Sequence, residues 1–278
     1  MNLRTFVDLA LEEDVREGDH TSLACIPSQS QGSMYMLIKE KGVLAGLDIG
    51  IEIFNLIDAD LKIEKHSSDG ENHHYGDIPL KVHGSVHSLL IAERLVLNVM
   101  QRMSGIATKT RSIMNLIKDT SAKVLDTRKT TPNFRYFEKE AVRIGGGINH
   151  RMGLYDAMMI KDNHIDFAGG ISQAIDRCNE YQRVKGLEID IIVEARNINE
   201  VKEILNKKGV RRILLDNFSP VETSEAVSFI DKRAETESSG GITEGNIRDY
   251  ALCGVDYISM GALTHKVRSL DISLKADF

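Results

Sequence analysis

From residue 121 onward the chain repeats one pattern. A short run, mostly apolar or β-branched, ends on polar residues, and a helical stretch follows. "AKVLD" ends at Asp126-Thr127-Arg128-Lys129, "AMMIK" at Lys161, and "IDIIVEA" carries Glu194. "RILLDN" ends at Asp216-Asn217, "AETESSGG" at residues 237–241, and "YISMG" at Gly261. Between them, "VKEILNKKG" predicts a helix closed by Gly209. "TEGNIRDYALCG" predicts one capped by Thr243 and closed by Gly254. Strands alternating with helices, with polar groups at each strand's carboxyl end, predict an α/β barrel whose site is built from several strand ends. Six strands in roughly 150 residues fall short of the eight strands and about 250 residues of a complete barrel, so an incomplete barrel is expected. A doubly wound open sheet is the alternative that fits the same alternation.

The first third reads differently. "MNLRTFVDLALEEDV" predicts an acidic amphipathic helix, and "MYMLIKEKGVLAGLDIGIEIFNLI" a strand leading through Gly42 and Gly46 into a helix. "HSSDGENHHYGDIPLKVHGSV" is turn-rich, with short strands between its glycines. From Ser88, "LLIAERLVLNVMQRM" is apolar on most faces and predicts a helix buried between layers. Ser104-Gly105 is expected to interrupt it, with "IATKTRSIMNLIKDT" as a second helix.

The 278 residues are 42% hydrophobic and 27% charged, with a formal charge of −6. A folded protein is expected, and the acidic balance argues against broad nucleic-acid binding. No apolar run approaches the ~20 residues of a membrane span, and the N-terminal stretch does not read as a secretory signal. Cys25, Cys178 and Cys253 are in no metal-ligand spacing; reduced, mostly packed thiols in a cytoplasmic protein are expected. His73-His74 lies in a polar loop without further ligands, and its expected state is solvated rather than metal-bound.

Charge changes the picture locally. Between residues 128 and 161, Arg128, Lys129, Arg135, Lys139, Arg143, Arg151 and Lys161 outnumber Glu138, Glu140 and Asp156. A cationic stretch in an acidic chain suits a small, multiply anionic ligand. Arginine forks match carboxylates and phosphates, and lysines add movable charge. Singly, each cation has a plainer role as a solvated charge, and each strand-end acid as a helix cap. Ser239-Gly240-Gly241, with Thr243 starting a helix, offers backbone N–H groups to a phosphate. Glu194 and Asp216 suit hydroxyls or a hydrated magnesium ion. These residues point to a soluble α/β enzyme acting on a phosphorylated, polyanionic small molecule, without fixing the reaction.

"DTRKTTPNFRYFEKEAVRIGGGINHRMGLYDAMMIKDNHI" resembles the quinolinate phosphoribosyltransferase family, as do "LALEEDVREGDHTS", "KGVLAG", "AERLVLNVMQRMSGIAT", "ILLDNFSP", "ESSGGIT" and "DYISMGALTH". The resemblance covers essentially the whole chain. It implies an N-terminal α/β (α+β) domain at 1–112, an incomplete α/β barrel with fewer than eight strands at 113–268, and a tail at 269–278 returning to the first domain. It also implies a homodimer, Mg2+, and phosphoribosyl transfer from phosphoribosyl pyrophosphate to the ring nitrogen of quinolinate. Decarboxylation then gives nicotinate mononucleotide on the route to NAD. By position, Arg128, His150 and Arg151 would grip the quinolinate carboxylates, with Arg102 reaching in from the neighbouring subunit. Lys129 and Lys161 would lie between dicarboxylate and phosphates. Glu194 and Asp216 would face the ribose hydroxyls and metal, and Ser239, Gly240, Gly241 and Gly261 the phosphate.

Four positions depart from the family pattern. Arg16 and Asn133 stand where glycine is common, Glu140 where an aromatic is common, and Arg196 where an acid or Asn is frequent, close to Glu194. His164 is expected to brace the loop after Lys161. Competing readings are a molybdenum-transport-associated relative of the same fold, a Schiff-base aldolase using Lys161, and a phospho-ligand sensor without turnover.

Overall fold

The computed structural model describes residues 2–277; Met1 and Phe278, which the expected domain bounds take in, lie outside the described residues. The chain opens with α1 (Leu3–Asp14), whose Thr5 N–H is accepted by the Asn2 side chain, and α2 (His20–Cys25), capped by Asp19. β1 (Gln31–Ile38), β2 (Gly42–Val43), α3 (Leu47–Ile57), β3 (Lys62–Lys65), β4 (Asn72–His73) and β5 (Leu80–Ser85) lead into α4 (Val86–Leu116). β6 (Lys123–Leu125), α5 (Arg135–Ile144), β7 (Ala157–Ile160), α6 (Asp162–Ala168) and α7 (Ile171–Lys185) follow. Strand–helix pairs then repeat: β8 (Asp190–Ala195) and α8 (Ile198–Leu205), β9 (Val210–Asp216) and α9 (Pro220–Ile230), β10 (Glu235–Ser239) and α10 (Ile247–Leu252), β11 (Tyr257–Ser259) and α11 (Ala262–His265). β12 (Ile272–Ala276) closes the described chain.

Two compact units result. One comprises Met1–Arg111, Thr131–Gly146 and Val267–Phe278, the other Ser112–Thr130 and Gly147–Lys266. The bounds read from the resemblance run 1–112 and 113–268, so the difference lies mainly at α5. Its aromatic residues explain its place: the rings of Phe134 and Phe137 lie 5.8 and 4.6 Å from that of Phe6 in α1.

In the first unit, β12-β1-β5-β3 form an antiparallel sheet, and β2 pairs with β4. Met34, Met36 and Ile38 of β1 are buried in alternation, the pattern of a half-buried strand. In the tail, β12 pairs with β1, with Met36 opposite Leu274. Contrary to the expected break, α4 runs unbroken through Ser104-Gly105. Ser104 Oγ bridges the N–H and C=O of Ala45, and a Cβ on Gly105 would come within 2.2 Å of the Arg268 carbonyl oxygen. The pair serves close approach by neighbouring backbone, not helix termination. His73 is also buried rather than solvated, held between Ser67 Oγ at 2.9 Å and Asp77 Oδ2 at 3.1 Å.

The second unit is built on the six expected strands. They form one parallel sheet in the order β6-β11-β10-β9-β8-β7. Successive strands β7 to β11 are neighbours with no reversal, and the first strand, β6, lies beside the last. A doubly wound sheet reverses its order at a switch point; this one advances as a barrel does and stays open between β6 and β7. Outward-facing Ile191, Val193, Ala195, Ile213 and Leu215 join Ile175, Val201, Ile204, Ala226 and Ile230 in a core under the helices. Two predicted caps fall elsewhere. α8 ends at Leu205 with Asn206 as its C-cap, before Gly209, and α10 starts at Ile247 with Asn246 at its N-cap, after a turn that begins at Thr243. Cys25 is exposed, with Cys178 and Cys253 half-buried, so the thiols are less packed than expected. No helix of the described residues is long and apolar enough to cross a membrane.

Candidate active site

Side chains alternate along a strand, so residues two apart share a face. On β9 and β10 the face opposite the helical core carries Arg212, Leu214 and Asp216, then Glu235, Glu237 and Ser239. Register sets Glu235 beside Arg212, Glu237 beside Leu214, and Ser239 beside Asp216. These strand ends open onto a cavity of ≈ 580 Å³. Arg128, Lys129, His150, Arg151, Lys161, Asp216, Ser239 and Gly261, all named from the sequence, are among the residues that line it.

Each of these side chains has a local reason for its place. The 147–150 segment runs beside β6, with Ile148 N–H on Val124 O and Asp126 N–H on Ile148 O. Buried Asp126 then accepts the His150 N–H at 2.8 Å, fixing the turn that carries His150 and Arg151. Arg151 Nη1 donates to Ala157 O at 3.0 Å. Burial, with Arg128 nearby, lowers its pKa from the ordinary guanidinium value. Lys129 is tied by its carbonyl to Thr264 Oγ1 at 2.7 Å and passes over Gly261, where a Cβ would meet Lys129 Cδ at 2.9 Å. Lys161 Nζ donates to Glu194 Oε2 at 3.0 Å, and its N–H to His164 Nδ1 at 3.0 Å. His164 thus braces the turn after Lys161, and it also lines the cavity.

Asp216 Oδ2 accepts from the side chain of Asn217, whose backbone is left-handed at φ 57°. Asn217 N–H in turn bonds Ser239 O at 2.8 Å. Gly240 (φ 89°) must be glycine twice over, because a Cβ there would lie 2.2 Å from Asn217 Oδ1. Gly240 and Gly241 follow Ser239 directly at the end of β10. They are not among the side chains bounding the cavity, and neither is Glu194, which reaches it through Lys161.

The cationic cluster of the sequence divides. Arg135, Lys139 and Arg143 belong to the first unit, where Arg143 pairs with Glu140. Arg102 belongs there too: Nε and Nη2 donate to buried Glu138 Oε1 at 3.0 and 2.8 Å, and Nη1 to Val267 O. Arg196 turns to Glu200 and Asp166 rather than to Glu194. Sequence reasoning missed Glu237 and Arg212. Glu237 is fully buried yet bounds the cavity, 3.3 Å from His150 Nε2 and 3.1 Å from Arg212 Nη1. The two-residue spacing from Glu237 to Ser239 was the available signal.

Family models for the quinolinate phosphoribosyl transferase N-terminal and C-terminal domains match residues 19–104 and 106–275. The chain belongs to the quinolinate phosphoribosyl transferase family. It is 45% identical to the chloroplastic nicotinate-nucleotide pyrophosphorylase [carboxylating] of Arabidopsis thaliana, over 99% of this chain and 83% of that one. It is 40% identical to the probable nicotinate-nucleotide pyrophosphorylase [carboxylating] of Bacillus subtilis, over 99% and 93%. Among solved structures, NadC from Streptococcus pyogenes superposes with a TM-score of 0.92 at 38% identity, covering 99% of this chain and 97% of that one. The family frame makes two of the departures intelligible. Arg16 and Asn133, standing where glycine is common, both adopt left-handed backbone, at φ 47° and 62°.

Proposed function

We propose that the protein transfers the phosphoribosyl group of phosphoribosyl pyrophosphate to the ring nitrogen of quinolinate, with decarboxylation. The products are nicotinate mononucleotide, pyrophosphate and carbon dioxide, a step in NAD biosynthesis. The observation that carries the site assignment is the cavity itself, where Arg128 and Lys129 after β6, Arg151 on the turn before β7 and Lys161 after β7 converge. Four cations around one cavity suit a dicarboxylate beside a pyrophosphate.

The chemistry needs little else. Departure of pyrophosphate leaves positive charge on the ribose carbon, so positioning the nitrogen and stabilising the leaving anion lower the barrier. Arg128, His150 and Arg151 hold the carboxylates, and Lys129 and Lys161 bridge towards the phosphates. Ser239, Gly240, Gly241 and Gly261 take the phosphate, and Glu194 and Asp216 the ribose hydroxyls. Once alkylated, the cationic ring accepts the electron pair released with the adjacent carboxylate, and no enzyme nucleophile is required. An ammonium held in an ion pair, as Lys161 is by Glu194, neutralises phosphate; an imine-forming lysine must be uncharged. That favours this reading over an aldolase.

Magnesium belongs to the same reading. Among the described residues no group of three or more His, Cys, Asp or Glu side chains is placed to hold a metal, so a cage made by protein alone does not form. Asp216 and Glu194 at adjacent strand ends fit an ion that brings its waters and the substrate phosphates with it. When bound, Mg2+ neutralises charge on the departing pyrophosphate. The working form is a homodimer in which Arg102 of one subunit serves the other's cavity, and its place is the cytoplasm, a reducing compartment suited to three free thiols.

Purified protein given quinolinate, phosphoribosyl pyrophosphate and Mg2+ is expected to form nicotinate mononucleotide, followed by chromatography. No product at high enzyme concentration overturns the proposal. Quinolinate binding without pyrophosphate release identifies a sensor instead.

A further inference from the structure

Glu237 is the one carboxylate of the cavity wall with no exposed surface. One oxygen, Oε2, meets His150 and Arg212; the other, Oε1, has no hydrogen-bond partner among the described residues. A buried carboxylate with an unsatisfied oxygen costs stability, and an apolar side chain would hold β10 better. Burial alone would push its pKa up, but His150 and Arg212, with Ser259 close by, outweigh that and hold it below the usual range. Arg212 is fixed on its other sides, by Glu235 at 3.2 Å and by the Tyr257 ring at 3.9 Å. The charge of Glu237 is therefore held against His150.

The His150 ring is held at Nδ1 and turns Nε2 towards Glu237 Oε2, 3.3 Å away. Nδ1 accepts the Arg151 N–H at 2.7 Å. A nitrogen that accepts carries no proton, so the ring proton sits on Nε2, facing Glu237. The charged and titratable groups around the ring are Asp126 from the end of β6, Glu237 from β10 and Arg212 behind it on β9. Across the cavity are Arg128, Lys129 and Arg151, then Lys161, His164 and Asp216.

We propose that Glu237 is a positioning residue that acts through His150. In the free site it keeps the ring proton on Nε2. When a substrate carboxylate arrives, it is the counter-ion that lets Nδ1 take up one proton from solvent. Nδ1 then releases the Arg151 N–H and becomes a donor to the carboxylate, and the freed amide gains a donor role of its own. This rests on reading the cavity as the quinolinate site.

The test is calorimetric titration of quinolinate into the full-length protein at about pH 8, where free imidazole is largely neutral, in buffers of different ionisation enthalpy. Wild-type protein is expected to take up close to one proton per quinolinate bound. Glu237→Gln keeps the shape and removes the charge; uptake should vanish and quinolinate affinity fall about tenfold or more. The KM for phosphoribosyl pyrophosphate should stay within about twofold, a split that a merely structural role would not produce. Nitrogen NMR of the imidazoles in wild-type protein needs no variant. It should read Nε2–H alone in the free site and both nitrogens protonated in the complex. Unchanged uptake in Glu237→Gln, or a neutral ring in the saturated complex, overturns the proposal while product formation stands. Failure of wild-type protein to bind quinolinate overturns both.

Discussion

Arg128 and Arg151 share one wall of the cavity, and the Arg151 guanidinium is already disfavoured by burial and by its neighbour's charge. A bound dianion would offset both, which supports the proposed role of the pair in holding the quinolinate carboxylates. Arg128→Ala should raise the KM for quinolinate about 10- to 100-fold, the worth of a charge-assisted bond of ~1.5–3 kcal/mol. Its thermal midpoint should change little; a fall in midpoint with affinity retained would make the residue structural. Arg16 presents the opposite case, since it is exposed and left-handed at φ 47°. Arg16→Gly should stabilise the fold by about 1 kcal/mol, read as a higher thermal midpoint with kcat unchanged. The charged wall was legible because its cations cluster in sequence around Arg128, Arg151 and Lys161. Glu237 was not, because its partners His150 and Arg212 come from distant segments.

At the scale of elements, glycine decides more than propensity does. Alanine favours a helix interior over glycine by about 1 kcal/mol, so Gly105→Ala in α4 would stabilise an isolated helix. In this fold the added Cβ meets the Arg268 carbonyl oxygen at 2.2 Å, and backbone cannot swing aside as a side chain can. The variant should lose about 1–3 kcal/mol, as an overpacked site does, and denaturant titration measures the sign. The same contact explains why the predicted break at Ser104-Gly105 is absent. Composition marks these residues as breakers, but only the tertiary neighbour shows what the missing side chain makes room for. The six strands of the second unit were legible from alternation and strand-end chemistry, even β10, which has no apolar residue. Two of its buried side chains, Thr236 and Glu237, are met by partners from other segments. Asp256 accepts from Thr236 N and Oγ1 at 2.8 Å, and Arg212 and His150 meet Glu237. Helix caps were read less well, since a Gly or Thr near a helix end, as at Gly209 and Thr243, can serve the adjoining turn.

At the scale of the whole molecule, the cavity-lining residues all come from the second unit, whereas Arg102 belongs to the first. The proposed homodimer with a shared site would give that division a purpose, and complementation tests it. Arg102→Ala is a poor probe, because it strips buried Glu138 of its ion-pair partner and costs about 3–5 kcal/mol. Arg102→Lys keeps a charge opposite Glu138 and loses the planar fork that matches a carboxylate. Lys161→Ala removes a cation of the second unit. Each variant alone should show low activity. Co-expressed with separate tags, they form mixed dimers with one site carrying both defects and one carrying neither. Random pairing then restores about a quarter of wild-type activity, concentrated in the doubly tagged fraction, as two-fold symmetry requires. If each site is built from a single chain, the mixed dimer contains no intact site and its activity equals the mean of the two parents.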